Sequence, residues 1–180
     1  NPAQAAGDIE ACRKQDAEPA ARLAACESVI ADDKITGPSR AAAFWFRGDS
    51  LMKKRDYEGA ITAFTASHEI APQNINVINA RGIAYSSKGD EERALADYDL
   101  CLQLRPSYGS AYNNRGLIFM RRGELQRALD VDDGRGRARG SGFAAATRRI
   151  KECKVEVCLA LRAHLGYTRR FLRERFGSDA

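Results

Sequence analysis

Three glycines set the frame of this chain: Gly48, Gly82 and Gly116 stand 34 residues apart, twice in succession. The same interval links Ala60, Ala94 and Ala128, and it links Pro72 to Pro106. Large side chains keep step. Phe44, Ile78 and Tyr112 lie four residues before each glycine, and Leu51, Tyr85 and Phe119 lie three after it. Phe64 and Tyr98 follow their alanines by four. Small, aromatic and turn residues held to one interval over about 90 positions mark a solenoid, an array of equal units stacked on one another.

Within a unit each residue type has a physical task. Ala80–Lys88 and Glu91–Leu104 carry apolar residues at helical spacing, which predicts two amphipathic helices. Gly89-Asp90 between them offers a left-handed stop followed by a capping carboxylate, and Arg55-Asp56 and Gly123-Glu124 are its equivalents. Gly82 and Ala94 are small, so the two helices can approach closely, with Tyr85 and Tyr98 filling the space around them. Pro106 ends the second helix and turns the chain into the next unit.

This pattern resembles the tetratricopeptide repeat over residues 41–132. The resemblance implies an all-α, right-handed helical solenoid of about three helix–turn–helix repeats with terminal capping helices. The repeats would span 41–74 (helices Ala41–Lys54 and Tyr57–Ile70), 75–108 (Ile75–Lys88 and Glu91–Leu104) and, in part, 109–132 (Ser110–Arg122 and Leu125–Asp132). Repeat three departs after Leu129: Asp132 stands at the aromatic position with Val131 beside it, and Gly140 stands where a third proline is due. Its second helix, from Leu125 to Asp132, is therefore expected to be short or irregular.

Charge is distributed unevenly. Residues 1–132 hold 17 Lys+Arg against 19 Asp+Glu, and residues 133–180 hold 12 against 5, so the net charge of +5 arises as −2 and +7. The basic character belongs to the last quarter and gives the repeat body no nucleic-acid signature. No apolar run approaches the 18 or so residues of a membrane span.

Residues 1–40 read as an N-terminal hairpin that caps the solenoid, as a degenerate terminal repeat does. Asp8–Lys14 is the expected first helix and Pro19 opens a second that runs to about Ala31. Gly37-Pro38 reads as part of a loop over 32–39. Cys12 and Cys26 flank the turn at disulfide reach if the helices are antiparallel, and otherwise read as two unrelated buried thiols. Cys101 occupies a small-residue core position, where a free thiol packs. A cysteine hairpin ahead of such repeats is similar to exported bacterial members of the family. Together with a first residue, Asn1, that is not Met, it leads us to expect a periplasmic or envelope protein and, failing that, a cytoplasmic one.

Beyond Asp132 the composition changes. Residues 133–142 are rich in Gly and Arg and read as a loop, and 143–180 as a basic helical segment with the stripe Ile150, Cys153, Val157 and Leu161. A terminal helix covering the last repeat, a basic surface-seeking helix and out-of-frame sequence all fit it. Cys153, Cys158 and His164 match no zinc spacing, so no metal site is expected.

Catalytic and cofactor motifs are absent: no Walker sequence, HExxH, dinucleotide fingerprint or Ser/His/Asp order occurs. His68 falls on a second helix, among positions that usually face outward. No cofactor is expected, and the chain reads as a non-enzymatic adaptor. In the resembled family the first helix of each repeat lines a concave groove that holds a partner peptide or protein. By position that groove takes Trp45, Asp49 and Met52 from repeat one and Asn76, Asn79, Ile83 and Ser86 from repeat two. Asn113, Leu117, Met120 and Arg121 follow from repeat three. Asn can bond a peptide backbone as donor and acceptor at once, and Trp45 would anchor the ligand unless it packs on the hairpin. Some family members clamp a terminal carboxylate with cations, but the matching positions here are Trp45, Asp49, Ala80, Ser110 and Asn114. That clamp is disfavoured. The alternative partners are nucleic acid or anionic lipid on the basic tail, and self-association is left open.

Overall fold

The turn that follows the first helix of each of the three repeats is closed by the same hydrogen bond. In a computed structural model of the chain, the N–H groups of Asp56, Asp90 and Glu124 each donate to the carbonyl five residues back, on Leu51, Tyr85 and Phe119, at 2.9 Å. Such a bond requires a left-handed residue just before it, and Arg55, Gly89 and Gly123 take φ of 61°, 96° and 71°. The next helix is then capped from the side chain: Asp56 accepts from the Gly59 N–H and Asp90 from the Arg93 N–H.

The structure describes residues 2–14, 17–124 and 127–128, with side chains from residue 6 onward. Among them are seven helices: α1 (Pro2–Arg13), α2 (Pro19–Ala31), α3 (Gly37–Lys53), α4 (Tyr57–Ile70), α5 (Ile75–Lys88), α6 (Glu91–Leu104) and α7 (Gly109–Arg121). The second helix of repeat three (apart from residues 127–128), the stretch 133–142 and the segment 143–180 lie outside the described residues. So do Cys153, Cys158 and His164.

Two helices start earlier than the sequence suggests. α1 begins at Pro2 rather than near Asp8, because a proline suits the first helical position and the alanines behind it are strong helix formers. α3 begins at Gly37, so Gly37-Pro38 form its first turn rather than a loop. Pro38 is tolerated there because the N–H it lacks has no partner inside the helix.

The helix pairs of repeats one and two each bury an aromatic ring against a glycine. A Cβ on Gly48 would lie 2.5 Å from Phe64 Cε1, and one on Gly82 would lie 2.6 Å from Tyr98 Cε1. These glycines thus make room for a ring from the second helix, more than for its backbone. Leu51, Ile61, Phe64, Val77 and Ala84 form one continuous buried cluster across repeats one and two. Each large side chain in it contributes roughly 2 kcal/mol of burial.

Polar links repeat as well. Ser67 Oγ donates to the Ala41 carbonyl at 2.7 Å, and 34 residues on Cys101 Sγ meets the Ile75 carbonyl at 3.5 Å. Burial raises the Cys101 thiol pKa to about 11, so it stays protonated as that contact requires. Between repeats, Lys88 pairs with Glu58 and, one period later, Arg122 pairs with Glu92 at 2.9 Å.

The array curves. α3 touches α5 and α5 touches α7, whereas α4 and α6 do not touch. First helices therefore crowd together on the inner side of the bend, and second helices spread on the outer side. α1 also touches α3, which gives the hairpin α1–α2 the place of one more helix pair. Cys12 and Cys26 meet inside it with Cα atoms 4.7 Å apart and sulfurs 2.08 Å apart, the distance of a disulfide.

Candidate partner-binding wall

Side chains of α5 and α7 meet across the inner wall in three rungs. Tyr108, just ahead of α7, donates from Oη to Asn76 Oδ1 at 3.3 Å. Asn114 Nδ2 donates to Asn79 Oδ1 at 3.1 Å, and Asn113 donates in turn to Asn114. Arg121 Nη2 donates to Ser86 Oγ at 2.9 Å. Five of the residues expected in the groove from repeats two and three are thus engaged in these three rungs. Ile83 stands exposed on the same helix as Asn76, Asn79 and Ser86, while Leu117 and Met120 are half-buried.

Charges on this wall are cancelled locally. Arg121 also donates from Nε to Glu91 Oε1 at 3.0 Å, and Arg122 donates to Glu91 Oε2 at 2.7 Å. Bonds from Arg122 first, and from Arg121, hold the Glu91 carboxyl below the usual carboxylate range.

Repeat one presents a different face. Trp45 and Met52 are half-buried and pack on the cluster that contains Leu51 and Phe64, with Leu23 of the hairpin beside them. Trp45 meets Phe46 edge-on, ring centroids 4.9 Å apart, and its Nε1 is buried. Asp49 accepts a 2.6 Å bond from Arg22 of α2 and lies 3.4 Å from Lys53. Its carboxylate is therefore turned toward the hairpin and neutralised there.

The sequence reading missed Tyr108, Glu91 and Arg22. Tyr108 precedes the helix that its side chain serves, and Glu91 looked like an ordinary first-turn acid, so neither carried a positional signal. The doublet Asn113-Asn114 was the available hint of a lateral contact, because adjacent helix positions cannot both face the same way. His68 also differs from expectation: it is half-buried with its Nδ1 enclosed, not turned outward. Among the described residues, no group of three His, Cys, Asp or Glu is placed to hold a metal, and no helix is long and apolar enough to cross a membrane.

Stacked helix pairs with their first helices on the inside of a bend define a helical-repeat solenoid. The chain belongs to the tetratricopeptide repeat family, whose model matches residues 1–75 and 79–136 and so takes in the N-terminal hairpin. Solved structures share the fold. A tetratricopeptide repeat protein from Parabacteroides merdae is 18% identical, with a TM-score of 0.72 over 98% of this chain and 68% of that one. MamA is 18% identical, with a TM-score of 0.59 over 74% of this chain and 71% of its own. The first such domain of Spaghetti (RPAP3), solved with an HSP90 peptide, is 21% identical, with a TM-score of 0.60 over 67% of this chain and 99% of its own. No curated protein matches the sequence. Proteins of this family serve as interaction modules for protein or peptide partners.

Proposed function

We propose that this protein is a non-enzymatic adaptor that holds an extended, largely uncharged segment of a protein partner along the wall formed by α3, α5 and α7. The observation that carries this reading is the set of three rungs between α5 and α7. They fix the polar side chains of two repeats in one arrangement before any partner arrives, which lowers the ordering cost of binding. Asn76 is exposed and uses one of its four hydrogen-bonding positions in its rung, which leaves others for a peptide backbone. Ile83 beside it offers an apolar contact.

A neutral ligand follows from the paired charges. Asp49 is satisfied by Arg22 and Lys53, and Arg121 by Glu91. The peptide in the Spaghetti complex does not transfer to this chain on the strength of a shared fold, since the positions that would clamp a carboxylate carry no cation here. We read the Cys12–Cys26 pair as oxidised in an exported, periplasmic or envelope protein.

Selection of peptides from a random display library on the full chain tests the proposal. Ile83→Asp should weaken the selected peptides about tenfold or more with the fold intact. Raising salt from about 50 to 500 mM should change their Kd less than about twofold, because no exposed charge pair contributes. Peptides that ignore Ile83→Asp, or that are released by salt, would overturn it.

A further inference from the structure

Arg22 is the largest side chain fully enclosed in the described structure, at 1% exposure, yet it carries a charge and comes from the capping hairpin. Its Nε donates to the Cys12 carbonyl at 3.0 Å, and its Nη1 donates to Asp49 Oδ2 at 2.6 Å. The guanidinium lies over the Phe46 ring, 5.0 Å from its centroid, and Nη2 is buried without a hydrogen-bond partner. One side chain thus touches the backbone of a paired cysteine, an aromatic residue of α3 and a carboxylate at the repeat-one end of the wall.

A buried guanidinium with an unfilled donor is costly unless its surroundings leave it no alternative. Here the surroundings are held by the cysteine pair. Cys12 lies in the last turn of α1, which has only Ile9 and Cys12 as large apolar residues among its described side chains and so little burial of its own to keep it in place. Cys26 lies one turn beyond Arg22 on α2. With the sulfurs joined, the Cys12 carbonyl stays on Arg22 and the guanidinium stays on Asp49. With them apart, α1 can lift, water can reach Arg22, and the pair at Asp49 loosens.

We propose that the Cys12–Cys26 pair is a redox control on the partner-binding wall, transmitted through Arg22 to Asp49 and α3. The proposal rests on the groove reading for its consequence, but not for the switch itself. The step is two-electron thiol–disulfide exchange. A dithiol reductant attacks one sulfur, the Cys12–Cys26 bond breaks, two thiols form, and the reductant leaves as its own disulfide with two electrons and two protons transferred. In the oxidised form Asp49 is neutralised from α2. In the reduced form it faces the wall as a solvated carboxylate beside Lys53, and the neutral segment meets an added charge.

Trp45 reports on the switch, because it is the only tryptophan and its ring packs on Phe46, the residue under Arg22. Thiol labelling of the denatured full chain, read by peptide mapping, should leave Cys12 and Cys26 unlabelled before reduction and label both after it. A dithiol should change Trp45 emission and raise amide exchange about tenfold or more in α1 and around residues 44–50, leaving α5 and α6 unchanged. Arg22→Met, with the disulfide intact, should reproduce the change at 44–50 without opening α1. Labelling of Cys12 and Cys26 before reduction would overturn the proposal. So would a reduction effect confined to α1, or an Arg22→Met protein whose α3 exchange matches the wild type. A switch in exchange and emission with no selected peptide would defeat the groove reading alone. Both holding, reduction should shift peptide Kd by about fivefold or more.

Discussion

Arg81 of α5 grips Asp97 of α6 through two parallel hydrogen bonds, Nε to Oδ2 at 2.9 Å and Nη2 to Oδ1 at 2.7 Å. The same arginine position recurs every 34 residues: Arg47 reaches Glu27 at 3.5 Å, and Arg115 reaches Asp99 at 2.5 Å. Only in the middle repeat is the acid enclosed, at 7% side-chain exposure against 53% for Glu27 and 51% for Asp99. Burial should therefore separate three pairs built on the same arginine position. Asp97→Ala strands a half-buried guanidinium and is expected to cost about 3 kcal/mol or more. Glu27→Ala and Asp99→Ala should each cost under about 1 kcal/mol. Urea denaturation of the three variants gives the comparison directly, and Arg81→Met with Asp97→Leu should recover much of the first loss.

His68 of α4 lies close enough to that pair to feel both charges. Burial lowers its pKa below 6.5, Arg81 lowers it further, and Asp97 and Glu69 pull the other way. A histidine whose pKa falls on folding binds fewer protons folded than unfolded. Its contribution to stability is whole above pH 6.5 and shrinks as pH drops below that value toward the folded pKa. Denaturation midpoints should therefore fall more between pH 7 and 5 in the wild type than in His68→Gln. Equal slopes would show that His68 does not supply the dependence.

What could be read in advance was whatever repeats. Arg55, Gly89 and Gly123 are chemically unlike, yet their common spacing alone marked Arg55 as a left-handed stop, and its φ agrees. The bounds of α4, α5 and α6 followed from those stops and the prolines. Polar contacts between helices were not legible in the same way. Ser67 and Cys101 look like mere small core residues until the carbonyls of Ala41 and Ile75 come within reach. Arg22 was harder still, since an arginine on a capping helix ordinarily points to water. Its burial needs a carbonyl from α1, a ring and a carboxylate from α3, and none of these shares a period with it.

Arg55 holds a left-handed conformation that costs a side-chain-bearing residue about 1 kcal/mol relative to glycine. Its side chain is exposed, and the equivalent residues in the next two turns are glycines. Arg55→Gly should then stabilise the protein by roughly 1 kcal/mol, a gain rarely offered by a glycine substitution. Thermal denaturation should show a rise in Tm of a few degrees, and a fall would mean that Arg55 makes contacts worth more than its backbone strain.

Gly82 tests the packing on which the array depends. An added methyl there would sit 2.6 Å from Tyr98 Cε1, and Tyr98 is 1% exposed, with its hydroxyl pushed above its ordinary pKa by burial. The ring cannot swing into water without emptying the space between α5 and α6. Gly82→Ala raises helix propensity, which alone would stabilise α5 by up to about 1 kcal/mol. Overpacking works against it at about 1–3 kcal/mol and is expected to win. The two effects can be separated. In a Tyr98→Leu background the clash is gone, so Gly82→Ala should there become neutral or stabilising while Tyr98→Leu alone is destabilised by its cavity. A double-mutant cycle on denaturation free energies should return a coupling of about 1 kcal/mol or more. Additive effects would mean that Gly82 is not small for the sake of the Tyr98 ring.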